Sequence, residues 1–375
     1  MKLNMKNPIF YLAVLFFCIF HSAAESQTVS GWSVYDGPYI LAQSESLKAK
    51  WIENSILKER DISPGNFPDL KKKFNLQFNY ADLKSTFYLR PRYRQNYTLA
   101  DSIAIITDIH GEYYSYIKLM KAMGIIDRNL NWKFGRGHLV VLGDNFDRGE
   151  MVTELLWHLF GLEKQAEKAG GMVHVLLGNH EFLILGKNLT YLNNKYRMVE
   201  EITKTKYYDL YSDSTVLGRW LRTKPVMITI NNIIFVHGGI SMETVQRNLK
   251  VDDINRKCSD RIVGRDKTWI DSDEELVFLN NESGPVWYRG YITDTTFCES
   301  KLDSILDFYG KDHIVIGHTV TSGIRSFYNN KLIAADAGIM YKQPGEMLIY
   351  KNGDFYRGFP SGKRIKLQSE SVAYR

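Results

Sequence analysis

Five short motifs, each rich in Asp, Asn or His, follow one another in this sequence. They are Asp108-Ile109-His110-Gly111, Gly143-Asp144-Asn145-Phe146-Asp147-Arg148-Gly149, Gly178-Asn179-His180-Glu181, Val236-His237-Gly238-Gly239 and Gly317-His318-Thr319. Carboxylate, amide oxygen and imidazole are the ligands of borderline metal ions. One such motif carries little weight, because Asp-x-His arises often by chance. Five in series, each after a short apolar run, describe a two-metal hydrolytic site. Asp108 and His110 are two apart, so in an extended segment both side chains leave on one side. One carboxylate can bridge two ions about 3.5–4 Å apart, and Asp144 is placed to do so. The ligands then divide into Asp108, His110 and Asp144 for one metal, and Asp144, Asn179, His237 and His318 for the other. Manganese, iron and zinc all suit this donor set.

The elements that must hold these residues are legible from periodicity. Ile103–Ile106, His138–Leu142, Val173–Leu177, Ile233–Val236 and Ile314–Ile316 are continuous apolar runs, the pattern of buried strands. Tyr113, Tyr116, Ile117, Met120 and Met123 recur at helical spacing before Gly124. Val152, Leu155, Leu156, Leu159 and Phe160 do the same before Gly170-Gly171. Residues 182 to about 224 read as a helical insertion. Asn352-Gly353 between Leu348-Ile349-Tyr350 and Phe355-Tyr356 is a β-hairpin signal. Strands that end in ligands point to an α/β fold with its site along one sheet edge.

The order of these motifs resembles the phosphoprotein-phosphatase family of metallophosphoesterases over roughly residues 102 to 340. Trp287-Tyr288-Arg289-Gly290 and Asp336-Ala337-Gly338 resemble its Shewanella-like branch. The Ser-Ala-Pro-Asn-Tyr segment of the eukaryotic Ser/Thr enzymes is absent. The resemblance implies a calcineurin-like sandwich of two mixed sheets flanked by helices, with a dinuclear metal site at the sheet edge. It implies that Asp108, His110, Asp144, Asn179, His237 and His318 are the metal ligands. His180 matches the general acid and Asp147 the carboxylate that orients it. Arg148 and Arg289 match the arginines that grip phosphate. Thr107 stands where many members carry Gly, and Asn145-Phe146 fills a variable pair. Neither change removes a ligand.

Physical chemistry gives the same roles a reason. A phosphate ester needs its charge neutralised, and planar guanidinium forks do so bidentately. A water or hydroxide bridging two metals is an acidified nucleophile. A His beside a ligand Asn can protonate a leaving alkoxide while an Asp holds its tautomer. Glu181 reads as structural support. His138, His158, His174 and His313 lack ligand spacing and read as core or surface residues.

The formal net charge is +6, and Lys2 and Lys6 supply two of it. No basic block or motif argues for nucleic acid. Lys2 and Lys6, the apolar stretch Ile9–Phe20 and Ser22-Ala23-Ala24 read as a secretory signal over residues 1–24, with the mature chain starting near Glu25. The apolar run is short for a membrane anchor, so no stable membrane insertion is expected after cleavage. Residues 25–100, where Ser63-Pro64-Gly65-Asn66 and Pro68 are expected to break helix, read as an extension packed on a catalytic domain of residues 101–375, with a tail-like, poorly ordered segment as the alternative. Cys258 and Cys298 remain after cleavage, either paired or as two separate thiols.

The expected function is an exported, periplasmic or secreted metal-dependent phosphomonoesterase. Its substrate would be a phosphoprotein, a phosphopeptide or a small phosphate ester, with tyrosine and serine or threonine both open. A dinucleoside polyphosphate hydrolase acting on molecules such as diadenosine tetraphosphate is the alternative. A non-catalytic metal- or phosphate-binding surface protein is a third reading. The His180–Asp147 pair speaks against it, because binding alone needs no general acid.

Overall fold

The computed structural model describes residues 33–43, 46–93 and 95–371, so the signal reading lies outside the described residues. The described residues form two large sheets and a small one. The six-stranded sheet runs Arg364–Lys366, Asp354–Gly358, Met347–Lys351, Ser102–Ile106, His138–Val141, Met172–Val175. Its last three strands are parallel. The seven-stranded sheet runs Ser369–Glu370, Arg325–Phe327, Leu332–Ala334, His313–Ile316, Ile233–Val236, Met227–Ile230, Asn96–Tyr97. Its central strands His313–Ile316 and Ile233–Val236 are parallel, and Met227–Ile230 is antiparallel to the latter.

The central strands are mostly apolar because both their faces are covered. Alternate residues Ile103, Ile105, Val140 and Leu142 of one sheet meet Ile228, Phe235, Val315 and Ile333 of the other in one buried cluster. The intervening Ala104, Ile106, Leu139 and Val141 belong to the larger cluster that includes Leu119, Leu155 and Leu159 of the helices. The architecture is therefore the calcineurin-like sandwich of mixed sheets flanked by helices. The helices Tyr113–Ala122 and Val152–Lys168 follow the first two motifs, and the insertion contains Asn194–Thr203 and Val216–Leu221. The Asn352-Gly353 hairpin is present, with Tyr350 opposite Phe355 and both turn residues at positive φ.

The segment before the first motif contributes a three-stranded antiparallel sheet, Asp36–Gln43, Ser46–Glu53 and Ile56–Ile62. Pro68, expected to break helix, instead starts one: it lies at the beginning of Phe67–Lys73, where its missing N–H has no intrahelical partner to lose. Tyr39, Ile40, Leu47 and Phe78 share the core of the catalytic strands and helices. Phe78 packs on Trp157 and Phe160 at ring distances of 5.1 and 4.9 Å. The indole of Trp157 donates to the Pro38 carbonyl at 2.8 Å. Cys258 is buried, Cys298 is exposed, and both are free thiols.

Under this junction Glu154, in the first turn of helix Val152–Lys168, keeps its Oε2 away from solvent without a hydrogen-bond partner. Burial first, and the nearby Asp36 second, push its carboxyl up to about 7 from 4.5. The native state thus holds this proton more tightly than the unfolded chain. No penalty is felt below pH about 4.5. Stability then falls as pH rises toward about 7, by on the order of 3 kcal/mol for a shift of this size. We expect Glu154→Gln to flatten that slope and to be more stable than wild type at pH 8. Denaturant melts at pH 5 and pH 8 check this, and equal pH slopes for the two proteins would refute it.

Candidate active site

All five motifs leave the carboxyl ends of central strands at one edge of the sandwich. Asp108 follows Ser102–Ile106, Asp144 follows His138–Val141, Asn179 follows Met172–Val175, His237 follows Ile233–Val236 and His318 follows His313–Ile316. Asn179 opens the short helix Asn179–Leu185. Two glycines let the loops close on each other. A Cβ on Gly143, which has φ +98°, would lie 2.4 Å from the Gly178 nitrogen. A Cβ on Gly317 would lie 2.2 Å from Thr107 Oγ1 and 2.6 Å from Asp108 Oδ2. Asp108, His110, Asp144, Asp147, Arg148 and His318 all adopt φ between +47° and +67°. Non-glycine residues enter that region at a cost of about 1–3 kcal/mol each, and such strain collects at functional sites.

Asp144 is the centre. Its Oδ2 lies 3.2 Å from His237 Nε2, 3.6 Å from His110 Nε2 and 3.9 Å from His180 Nε2. Its Oδ1 accepts the His180 backbone N–H at 2.9 Å. The geometry yields two buried groups able to hold ions: His110, Asp144 and His180, and Asp144, His237 and His318. Asn179 joins the second, its Oδ1 being 3.0 Å from His237 Nε2. Asp108 stands beside them. Its Oδ2 accepts from Thr107 Oγ1 at 2.6 Å and from the His318 backbone N–H at 2.9 Å.

Each imidazole has one nitrogen committed to an acceptor, which aims the other inward. His110 Nδ1–H donates to the Phe146 carbonyl at 2.6 Å, and His237 Nδ1–H to that of Leu142 at 2.8 Å. His318 is reversed: its Nε2–H donates to the Trp287 carbonyl at 3.1 Å, and its Nδ1 carries the lone pair, 3.4 Å from Arg289 Nη2. Burial pushes His110 down to about 4 and His318 down to about 2, so both are neutral donors to a cation. Burial opposes charge on His237 too, yet Asp144 overrides it and raises the ring to about 9. His237 Nε2, Asn179 Oδ1 and Asp144 Oδ2 thus converge around a point that calls for positive charge. Two metal ions fit this donor set.

His180 differs from its neighbours. Its Nδ1–H donates to Asp147 Oδ2 at 2.6 Å, so Nε2 is the nitrogen that faces the centre. Burial lowers its basicity, but Asp144 and Asp147 outweigh that and its pKa is raised. Glu181 ties two loops together, accepting from the backbone N–H groups of Gly178, Asp144 and Asn145 at 2.7–2.9 Å. Arg148 and Arg289 are both exposed at the mouth. Arg289 donates to the His318 carbonyl and lies 3.4 Å from Thr319 Oγ1. The other histidines stay outside: His158 is bound to Tyr116 and Leu130, His174 to His138, and His313 to Asn330.

Two residues at the site escaped the sequence reading. Tyr191 in the insertion sets its ring 5.1 Å from the His180 ring, with the Arg148 guanidinium 5.1 Å from its centroid. Nothing local marks it, because its place comes from long-range packing. Asp336 was noted only as part of a motif. It is buried, accepts from the Gly338 N–H at 2.9 Å through Oδ1, and leaves Oδ2 without a partner. Burial and the neighbouring Asp108 hold its carboxyl well above the usual range.

The family profile of the calcineurin-like phosphoesterases matches residues 102–322, the span that carries all five motifs. The chain belongs to this family. Among its calcineurin-like relatives, Shewanella-like protein phosphatase 1 of Plasmodium berghei is 30% identical over 303 residues, covering 77% of this chain and 81% of that protein. Shewanella-like protein phosphatase 2 of Arabidopsis thaliana is 22% identical, over 64% of this chain and 71% of that one. Among solved structures, the cold-active protein-tyrosine phosphatase of a psychrophilic Shewanella species superposes with a TM-score of 0.79 at 36% identity, covering 89% of this chain and 99% of that chain. This calcineurin-like phosphoesterase is therefore a hydrolase of the protein-phosphatase type.

The shared position of Asp144 gives a direct test. Asp144→Asn removes the one charge common to both metal groups. We expect bound metal to drop below one equivalent per chain and activity to be nearly abolished. Elemental analysis returning two full equivalents in an active variant would refute a dinuclear centre built on Asp144.

Proposed function

We propose that this protein is a dinuclear phosphomonoesterase acting on phosphorylated protein or peptide side chains, with phosphotyrosine as the favoured class. The observation that carries this reading is Tyr191. Its half-exposed ring lies against both His180 and Arg148, offering a flat apolar face where a phenolic leaving group would sit. The likeness to a protein-tyrosine phosphatase over nearly its whole length supports the same choice.

In this mechanism Asp108, His110, Asp144, Asn179, His237 and His318 would hold the ions. When bound, these supply Lewis-acid charge neutralisation and an acidified water. Arg148 and Arg289 would grip the phosphate oxygens from the open side. His180 delivers a proton from Nε2 to the leaving oxygen. Asp147 positions it, because a carboxylate on Nδ1–H fixes the tautomer and stabilises the cationic ring. Against the effect of burial, Asp144 and Asp147 raise the pKa of His180, which favours the protonated ring.

We further propose export, resting on the basic end, apolar core and small residues of positions 2–24. No helix among the described residues is long and apolar enough to cross a membrane.

Metal-reconstituted protein profiled against phosphotyrosine, phosphoserine and phosphothreonine peptides and diadenosine tetraphosphate tests the substrate class. We expect the highest kcat/KM on phosphotyrosine, and Tyr191→Ala to narrow its lead over phosphoserine. A preference for diadenosine tetraphosphate would replace this reading with the nucleotide one. The role of His180 is tested separately. His180→Asn should retain both metals and lose roughly 10²–10⁴-fold in rate on phosphoserine, the usual range for a general acid. The loss should be smaller on an aryl phosphate with an acidic phenol. Loss of metal would instead make His180 a ligand, which its place beside His110 and Asp144 also permits geometrically.

A further inference from the structure

A cavity of about 430 Å³ opens between the segment from Ser85 to Tyr97, the second half of helix Val152–Lys168 and strand Met172–Val175. That strand is the last of its sheet, so the cavity lies along an open sheet edge. None of its lining residues is a metal ligand or an arginine of the active-site mouth. Its size is that of a small-molecule site.

The charge around it is unbalanced. Arg90, Arg92, Lys164 and Lys224 line it against Glu163 and Glu167, which leaves two cations in excess. Glu163 is already engaged, by Lys224 at 2.5 Å and by the Trp220 indole at 2.8 Å. Arg90 donates to the Leu89 carbonyl at 2.8 Å, and Lys164 lies 5.8 Å from the Phe160 ring centroid. Neither of these, nor Arg92, has a carboxylate partner among the described residues. Arg90 precedes Pro91, which favours extended backbone, and in such a segment residues two apart leave on one side. Lys224 registers the crowding. Burial lowers its pKa against the pull of Glu163, and the charges of Lys164 and Arg92 lower it further.

His174 adds a neutral group to the wall. It is 7% exposed, its Nε2 is 3.0 Å from His138 Nδ1, and its Nδ1 has no partner among the described residues. Burial first, then His138 and Lys224, push the ring down to about 3. It therefore stays uncharged and can present Nδ1–H to the cavity it lines. Leu89, Met172 and Pro225 supply apolar surface beside the cations.

We propose that this cavity is a second, non-catalytic site for a small organic phosphate. Its dianionic head would sit among Arg90, Arg92 and Lys164, and its apolar body against Leu89, Met172 and Pro225. Planar guanidinium forks match phosphate bidentately, and two excess cations call for a doubly charged head. A phosphate ion alone would leave most of the cavity unfilled. The assignment does not depend on which ester the metal centre hydrolyses.

The test uses the metal-loaded protein at pH 8 and benzylphosphonate, whose phosphorus–carbon bond a phosphoesterase does not cleave. In calorimetry wild type should bind one equivalent per chain more than Arg90→Gln/Arg92→Gln. Both arginines are exposed, so the variant should fold. The inhibition constant of benzylphosphonate against an aryl phosphate reads the metal centre, and it should be the same in both proteins. Lys164→Gln should weaken the extra equivalent roughly tenfold, as expected when a charge-assisted contact is lost. Phenylacetate has the same body and a single charge, and inorganic phosphate has no body. Each should bind this site roughly tenfold more weakly than benzylphosphonate. Equal stoichiometry in wild type and the double variant would overturn the site. A changed inhibition constant in the double variant would place the arginines at the metal centre and overturn it too. Phenylacetate bound as tightly as benzylphosphonate would overturn the dianion, and inorganic phosphate bound as tightly would overturn the part given to the apolar wall.

Discussion

One buried carboxylate organises this molecule. Asp144 has no room to escape, since its Oδ2 faces three imidazoles within 4 Å and its Oδ1 is held by a backbone N–H. An isolated carboxylate in such a place would cost several kcal/mol, so it must be matched by positive charge. The two sheets, the glycines that let loops touch and the Glu181 clamp all serve to bring that charge to it. His110, Asn179, His237 and His318 come from four different strand ends, and only the sandwich makes them neighbours.

The loops are held in strained shapes for the same reason. A left-handed backbone at Asp108, His110, Asp144, Asp147, Arg148 and His318 is not locally favourable. The core beneath overrides it: the strands feeding these loops are buried on both faces, in clusters packed from each side. Rigid support of this kind preorganises ligands and proton donor before substrate arrives, so little reorganisation remains for the reaction itself.

Much of this could be read from the sequence, and for a physical reason. Strands covered on both faces are continuous apolar runs, and a hydrophilic Asp, Asn or His immediately after one is conspicuous. Asn352-Gly353 was legible because a tight hairpin needs positive φ at both turn residues. The N-terminal sheet was harder. Leu47 and Ala49 alternate with Lys48 and Lys50, a period-two signal that could have been used. Strand Ile56–Ile62, however, is exposed along most of its length and carries charges at its centre, so it leaves no pattern. Pro68 misled because proline's meaning depends on its place in a helix. Tyr191 was invisible for a different reason: it enters the site only because the insertion folds back over it.

The ion pair between Asp36 and Lys195 joins the earliest described strand to the first turn of helix Asn194–Thr203, far later in the chain. A protein clipped between residues 36 and 100 would keep every metal-binding side chain and both arginines. Loss of Asp36 would remove the carboxylate that pairs with Lys195, whose neighbour Asn193 holds the Arg148 carbonyl. The fold thereby makes its own completeness a condition of a settled active site. The residues before the first motif, none of which binds a metal, thus help to set the loop that presents Arg148.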